Sequence, residues 1–245
     1  MPRWLLLGLL CLLLGAPVAG AAELTGKIVV IDPGHNGGNA THSAFITQQV
    51  WAGTLWKDCD TVGAATSSGY TEASHNWDVA LRVRAVLEAK GATVILTRRS
   101  NSGTGPCITK RAAVGNRAHA DAALSIHADG VSSDAATGFH VILPGVAPHQ
   151  TAAMREQSRQ LGVAIRNTLR DRGPTAVSNY QGVDGLVTRT DLGGLNLSKV
   201  PKVFTEIGNL RAPHDAAILT STAGRQQEAE ALAAGLTAFL LSRRA

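Results

Sequence analysis

His35, Glu72, His127 and Glu206 are the four side chains of this 245-residue chain whose types and settings suit metal-assisted hydrolysis. Two imidazoles and one carboxylate are the protein ligands of a catalytic zinc site, which keeps a fourth position open; a structural site is closed by four protein ligands. Zinc lowers the pKa of its bound water to about 7 and polarises a carbonyl. A carboxylate beside it can take the water's proton and pass it to a leaving nitrogen. Two histidines and one glutamate as ligands, with a second glutamate left free, therefore make a complete kit for breaking an amide.

The elements that must position these groups are legible around them. Ile28-Val-Val-Ile31 is a short apolar run, read as a buried strand over 27–32. Pro33 and Gly34 stop it, so His35 sits on a tight turn at the strand's carboxyl end. Residues 72–90 read as a helix, with Trp77, Val79, Ala80, Val83, Val86 and Leu87 largely on one side and Gly91 as the stop. Glu72 begins that helix. Ala122-Ala-Leu-Ser-Ile126 is a strand ending at His127, and Lys202-Val-Phe-Thr205 a strand that delivers Glu206. In an open α/β sheet such positions converge on one edge, the edge where ligands bind.

Further strands are predicted at 93–97, 138–143 and, weakly, 185–188, and helices at 109–119, 150–171 and 222–243, with Gly193-Gly194 and Asn196 marking a loop. Strands alternating with helices point to one α/β domain, a mostly parallel or mixed sheet with helices on both faces. Residues 39–71 are rich in Thr, Ser, Gly and Asn and long for a plain loop, so a functional flap, a hairpin or both is predicted there. Val50 to Trp56 would form one arm and Thr61-Val-Gly-Ala64 the return.

Residues 1–21 have the makings of a secretion signal: Arg3, an apolar run from Leu5 to Leu14, and Ala19-Gly-Ala21 for cleavage. That run is about half the ~20 residues a spanning helix needs, so no stable membrane anchor is expected once the signal is cut. Residues 22–245 then form the catalytic domain, secreted or in the periplasmic or cell-wall space. Arg3 is the one charged residue removed, which takes the net charge from +5 to +4 with histidines neutral. A mildly basic exported protein suits an anionic partner such as cell-wall polymer, or merely has a basic surface. No basic run interleaved with aromatics suggests nucleic acid. In an oxidising compartment Cys59 and Cys107 are read as one disulfide closing a loop of about 49 residues, worth up to roughly 4 kcal/mol in the chain-entropy model, two free buried thiols being the alternative.

Val30-Ile-Asp-Pro-Gly-His-Asn-Gly-Gly38, Glu72-Ala-Ser-His-Asn76, Gly91-Ala-Thr-Val-Ile-Leu-Thr-Arg98, Arg111 through Asn116, Ser125-Ile-His-Ala-Asp129 and Val200-Pro-Lys-Val-Phe-Thr-Glu-Ile-Gly208 occur in that order. With them the chain resembles the zinc-dependent N-acetylmuramoyl-L-alanine amidases of the amidase 3 type, from residue 27 to the last helix. The resemblance implies that His35, Glu72 and His127 bind Zn²⁺ and that Glu206 is the catalytic carboxylate. It implies a peptidoglycan or muropeptide substrate, cut between N-acetylmuramic acid and the first L-Ala of the stem, by a monomer. Two departures, Asp129 where the family usually has Asn and Asn209-Leu-Arg211 for its usual aromatic stretch, are expected near the substrate groove. The competing readings are a zinc exopeptidase acting on ordinary peptides and a cell-wall-binding protein without catalysis.

Plainer roles stand beside these. Glu72 suits the first turn of any helix, where the dipole favours a carboxylate. His75 shares a helix face with it as Glu-x-x-His and competes as a ligand; it is given a supporting or surface role. His42, His119, His140, His149 and His214 are read as surface or packed residues. Asp32 either orients a ligand histidine or holds the turn. Arg98 and Arg111 either meet substrate carboxylates or form structural ion pairs.

Overall fold

A computed structural model of the chain describes Met1 and residues 22–243, and apart from Met1 the signal assigned to residues 1–21 lies outside them. In chain order the strands are β1 Ile28–Pro33, β2 Gln49–Trp51, β3 Trp56–Asp58, β4 Thr93–Leu96, β5 Ala122–Asp129, β6 Phe139–Pro144, β7 Leu186–Arg189 and β8 Lys202–Asn209. The helices are α1 Ser43–Ile46, α2 Glu72–Ala89, α3 Ile108–Ala118, α4 Ala152–Arg172, α5 Gly193–Asn196, α6 Pro213–Thr220 and α7 Thr222–Ser242. Six strands form one sheet in the order β4-β1-β5-β8-β6-β7. Its pairs are parallel except β6 with β8, so the sheet is mixed.

Alternation along the strands assigns the two faces. Val29 and Ile31 of β1, with Leu124 and Ile126 of β5, join the main core with α2, α4 and α7. Val30 and Ala123 point the other way and pack with Val114 and Ala118 of α3. This second face also holds buried polar groups: Asp32 of β1, Ser125 of β5, and Lys202 at the start of β8, whose ammonium reaches Asp32 at 2.8 Å. Among the described residues no helix is long and apolar enough to cross a membrane. Near the start of the described stretch Leu24 is buried, and its N–H donates to the Lys90 carbonyl at 2.8 Å.

Several elements differ from the sequence reading. The 39–71 segment does contain a hairpin, but its arms are β2 and β3, so Trp56 begins the return rather than ending the first arm. The reason is the tight turn at Gly53 (φ +93°), closed by Ala52 N–H to Leu55 carbonyl at 2.8 Å, which brings the chain back sooner than the apolar spacing suggests. Thr61 to Ala64 are left free to line the site. Residues 193–196 make a single helical turn, α5, instead of a loop, and α6 is a helix the periodicity did not reveal. β5 and β8 run past residues 126 and 205, which places His127 and Glu206 inside strands rather than after them. Cys59 and Cys107 form a disulfide with Cα atoms 4.5 Å apart, so the free-thiol alternative falls.

Candidate active site

His127 and Glu206 are direct partners across the β5–β8 ladder, just before a register shift that separates His127 from Asp129. Their neighbour β1 ends at Pro33, and His35 follows in the left-handed region at φ +55°. Glu72 is the first residue of α2, behind the cap Thr71, whose side chain accepts from Ser74 N–H at 3.3 Å. Three strand ends and one helix start thus deliver the four side chains to one cleft, lined also by Thr61, Gly63, Asp129 and Arg211.

Within the cleft the donor atoms of His35, Glu72 and His127 all lie within 4.8 Å of one another. Nε2 of His35 is 3.2 Å and Nδ1 of His127 2.9 Å from the same oxygen, Glu72 Oε1. These atoms name the inward nitrogen of each ring. The outward Nδ1 of His35 faces the Thr61 carbonyl at 3.0 Å and Asp60 Oδ1 at 3.2 Å. The other Glu72 oxygen accepts from Ala64 N–H at 2.8 Å. His127 is held differently: its ring stacks on Phe204, centroids 5.2 Å apart, planes 10° from parallel. Gly34 walls its other side so closely that a Cβ there would stand 2.2 Å from Cε1. A Cβ at Gly63 would likewise meet the His35 ring at 2.7 Å. Both glycines are what lets the chain close around the imidazoles.

The two glutamates are driven apart electrically. Burial pushes the Glu72 carboxyl up, but the imidazoles of His35 and His127 outweigh it and hold it well below the usual carboxylate range. Burial, reinforced by the negative charges of Glu72 and Asp129, pushes Glu206 well above that range. Burial lowers His35, yet Glu72 and Asp60 together raise it to about 10. A dense negative field thus faces the point where the three donor atoms meet. Buried groups of this kind call for a cation there, and two nitrogens with one carboxylate oxygen are the donor set a catalytic zinc takes.

Other candidates from the sequence fall elsewhere. His75 is fully buried against α7, 3.1 Å from Glu228 Oε2, and plays neither a surface part nor a part in the cleft. Arg98 donates to the carbonyls of Pro33, Ser100 and Ala73 and lies over the Trp77 ring, with no ion pair among the described residues. Arg111 is a buried structural ion-pair residue, bound to Asp32 and Asp60. Asp32 touches neither histidine; it binds Arg111, Lys202, Thr97 and Ser125. Of the two departures, Asp129 and Arg211 do line the cleft. Asn209 and Leu210 are buried beneath it, the Asn209 amide tying down the carbonyls of Val131, Ser133 and Ala136. Asp60 and Phe204 were not anticipated. The signal available was Asp60's place beside a bridging cysteine; nothing marked Phe204 beyond its alternation with Glu206.

A family model described as N-acetylmuramoyl-L-alanine amidase matches residues 29–238. The chain is 41% identical over 224 residues to N-acetylmuramoyl-L-alanine amidase Rv3717 of Mycobacterium tuberculosis, covering 91% of this chain and 90% of that one. Its fold superposes on the crystal structure of the N-acetylmuramyl-L-alanine amidase Ami1 from Mycobacterium smegmatis with a TM-score of 0.83 at 39% identity, covering 90% of this chain and 99% of that one. The apo form of Ami1 from Mycobacterium abscessus gives 0.83 at 38%, covering 89% and 100%.

Proposed function

The chain belongs to the N-acetylmuramoyl-L-alanine amidase family, and from that premise we propose that it hydrolyses the amide between N-acetylmuramic acid and the L-Ala of the peptidoglycan stem, with His35, Glu72 and His127 holding Zn²⁺. The observation that carries this reading is the convergence of three donor atoms within 4.8 Å, with Glu206 opposite His127 on the neighbouring strand. When bound, zinc acidifies water and polarises the scissile carbonyl. The chain's own residues do the rest. Glu72, kept ionised by the two imidazoles, contributes the negative charge that attracts the cation. Glu206 takes a proton from the attacking water on a carboxylate oxygen and delivers it to the amine nitrogen of L-Ala as that amide breaks. The environment that favours its protonated form suits the delivery half of this cycle.

Glu206→Gln keeps the shape of the side chain and removes its basicity. It should leave zinc content unchanged by elemental analysis and lower stem-peptide release from purified peptidoglycan by about 10²- to 10⁴-fold. Retained turnover would remove Glu206 from this role. A stem peptide lacking muramic acid should not be cleaved; its cleavage would favour an exopeptidase. Residues 1–21 are proposed as a secretion signal placing a monomeric enzyme beside the wall, and the N-terminal sequence of exported protein should begin near Ala22.

A further inference from the structure

The polar groups behind His35 continue far beyond it. Asp60 offers Oδ1 to His35 Nδ1, and its Oδ2 accepts from Arg111 Nη2 at 3.2 Å and Asn36 Nδ2 at 3.1 Å. Arg111 Nη1 donates to Asp32 Oδ1 at 3.0 Å, and Asp32 Oδ2 accepts from Lys202 Nζ at 2.8 Å. The Lys202 ammonium lies 5.3 Å from the Phe204 ring centroid, and Phe204 stacks on His127. An arc of alternating charge therefore starts behind one imidazole and ends beneath the other. Its four charged members are all buried, and they balance to zero. Ion pairs in an interior are costly to desolvate, and packed hydrocarbon would stabilise as well or better. Their presence at this spot calls for a task other than stability.

We propose that this arc sets the zinc affinity of the site, with Asp60 as the positioning residue at its working end. The inference rests on the zinc reading above. A ligand imidazole whose outer N–H is held by a carboxylate has its tautomer and direction fixed and is a stronger donor. Asp60 meets that description for His35: with Nδ1 occupied on its side, Nε2 is left pointing at Glu72. The backbone of Thr61 steadies the carboxylate, its N–H donating to Oδ1 at 2.8 Å. Covalent structure brings Asp60 and Arg111 together. Cys59 directly precedes Asp60, and its disulfide partner Cys107 caps α3, the helix that carries Arg111 in its first turn. The Ile108 N–H donates to the Cys59 carbonyl at 2.9 Å, a second tie at the same junction.

The Thr61 carbonyl lies slightly nearer to the same His35 nitrogen, so the role of the Asp60 charge must be separated from simple orientation. Zinc is stripped from full-length enzyme, and its Kd is measured by competition with a chromogenic chelator. Asp60→Ala should weaken zinc binding up to about 100-fold, and Asp60→Asn, which keeps an acceptor oxygen but no charge, about 10-fold. Arg111 retains Asp32 and the carbonyls of Pro33, His35 and Pro106 in both variants, so it keeps hydrogen-bond partners, while the uncompensated buried charge should lower the melting temperature of the zinc-free proteins. If Asp60→Ala fails to fold, Asp60→Asn decides alone. Zinc affinity within twofold of wild type in the variants that fold would overturn the proposal while leaving the metal site standing. A wild-type protein that binds no zinc would overturn both.

Discussion

His35 and His127 bring imidazoles to one carboxylate oxygen from opposite kinds of structure. His127 is part of a strand, paired with Glu206 just before the ladder shifts register, and what fixes its ring is carbon: the Phe204 face on one side and the Gly34 backbone on the other. His35 lies beyond its strand in a left-handed turn, and what fixes its ring is charge and hydrogen bonding supplied by a distant, covalently closed segment. The first arrangement is made by the fold itself. The second is added to it, and the two should fail in different ways.

The sharpest break on the strand side is Gly34→Ala. A Cβ there meets three atoms of the His127 ring at 2.2 to 2.5 Å, distances no packed pair tolerates. The ring must leave the Phe204 stack or β1 must shift, and either moves the imidazole relative to Glu72 and Glu206 by a sizeable fraction of an ångström. Misplacement on that scale can cost about 100-fold in rate, and amidase activity should fall at least that far. Gly115→Ala is the control, since its Cβ would find only ordinary contact with Val200 at 3.4 Å inside α3. Equal activity in Gly34→Ala and Gly115→Ala would refute the idea that His127 is held by close packing.

On the loop side, the matching break is removal of the disulfide in a Cys59→Ser, Cys107→Ser double variant. Losing a loop closure of about 49 residues should cost up to roughly 4 kcal/mol of stability, read from urea unfolding of the zinc-free protein. Zinc affinity should drop as well, because Asp60 and Arg111 lose the link that holds their segments together. A variant that is destabilised but binds zinc as wild type would show that the two sides are supported independently of the disulfide.

This asymmetry also explains what the sequence reveals. His127 and Glu206 are legible because each closes a short apolar run, a local signal, and Glu72 because the start of a helical periodicity is another. Their convergence follows from sheet topology. Asp60 is not legible: its task depends on a cysteine pair closing 48 positions of chain and on an arginine of another helix. The hairpin was misplaced for a related reason, since arms of three residues carry too little periodicity to register. The burial of His75 against Glu228 is likewise set by the packing of α2 on α7, elements far apart in sequence. Helix α6 had a usable marker, Pro213 at its first position, which apolar periodicity alone passes over.

A third histidine calibrates the other two. His140 stands opposite Glu206 on β6, with its ring edge toward Tyr180 and a buried Nδ1 that has no hydrogen-bond partner among the described residues. Burial dominates here; the attraction of Asp129 is too weak to offset it, and the pKa falls to about 4. The consequence has a definite sign. The unfolded chain takes up this proton near pH 6.5 and the folded one only near 4, so the stability in question is whole above 6.5 and is lost as pH falls through 4. At most it amounts to about 3 kcal/mol. Replacement by Phe keeps an aromatic ring against Tyr180 and removes the titration. In chelated protein, to keep metal release out of the measurement, the wild type should lose more stability between pH 7 and 4.5 than His140→Phe does. Parallel curves would mean that water or Asp129 supports the charged ring after all, and that burial without a partner is not what separates His140 from His35.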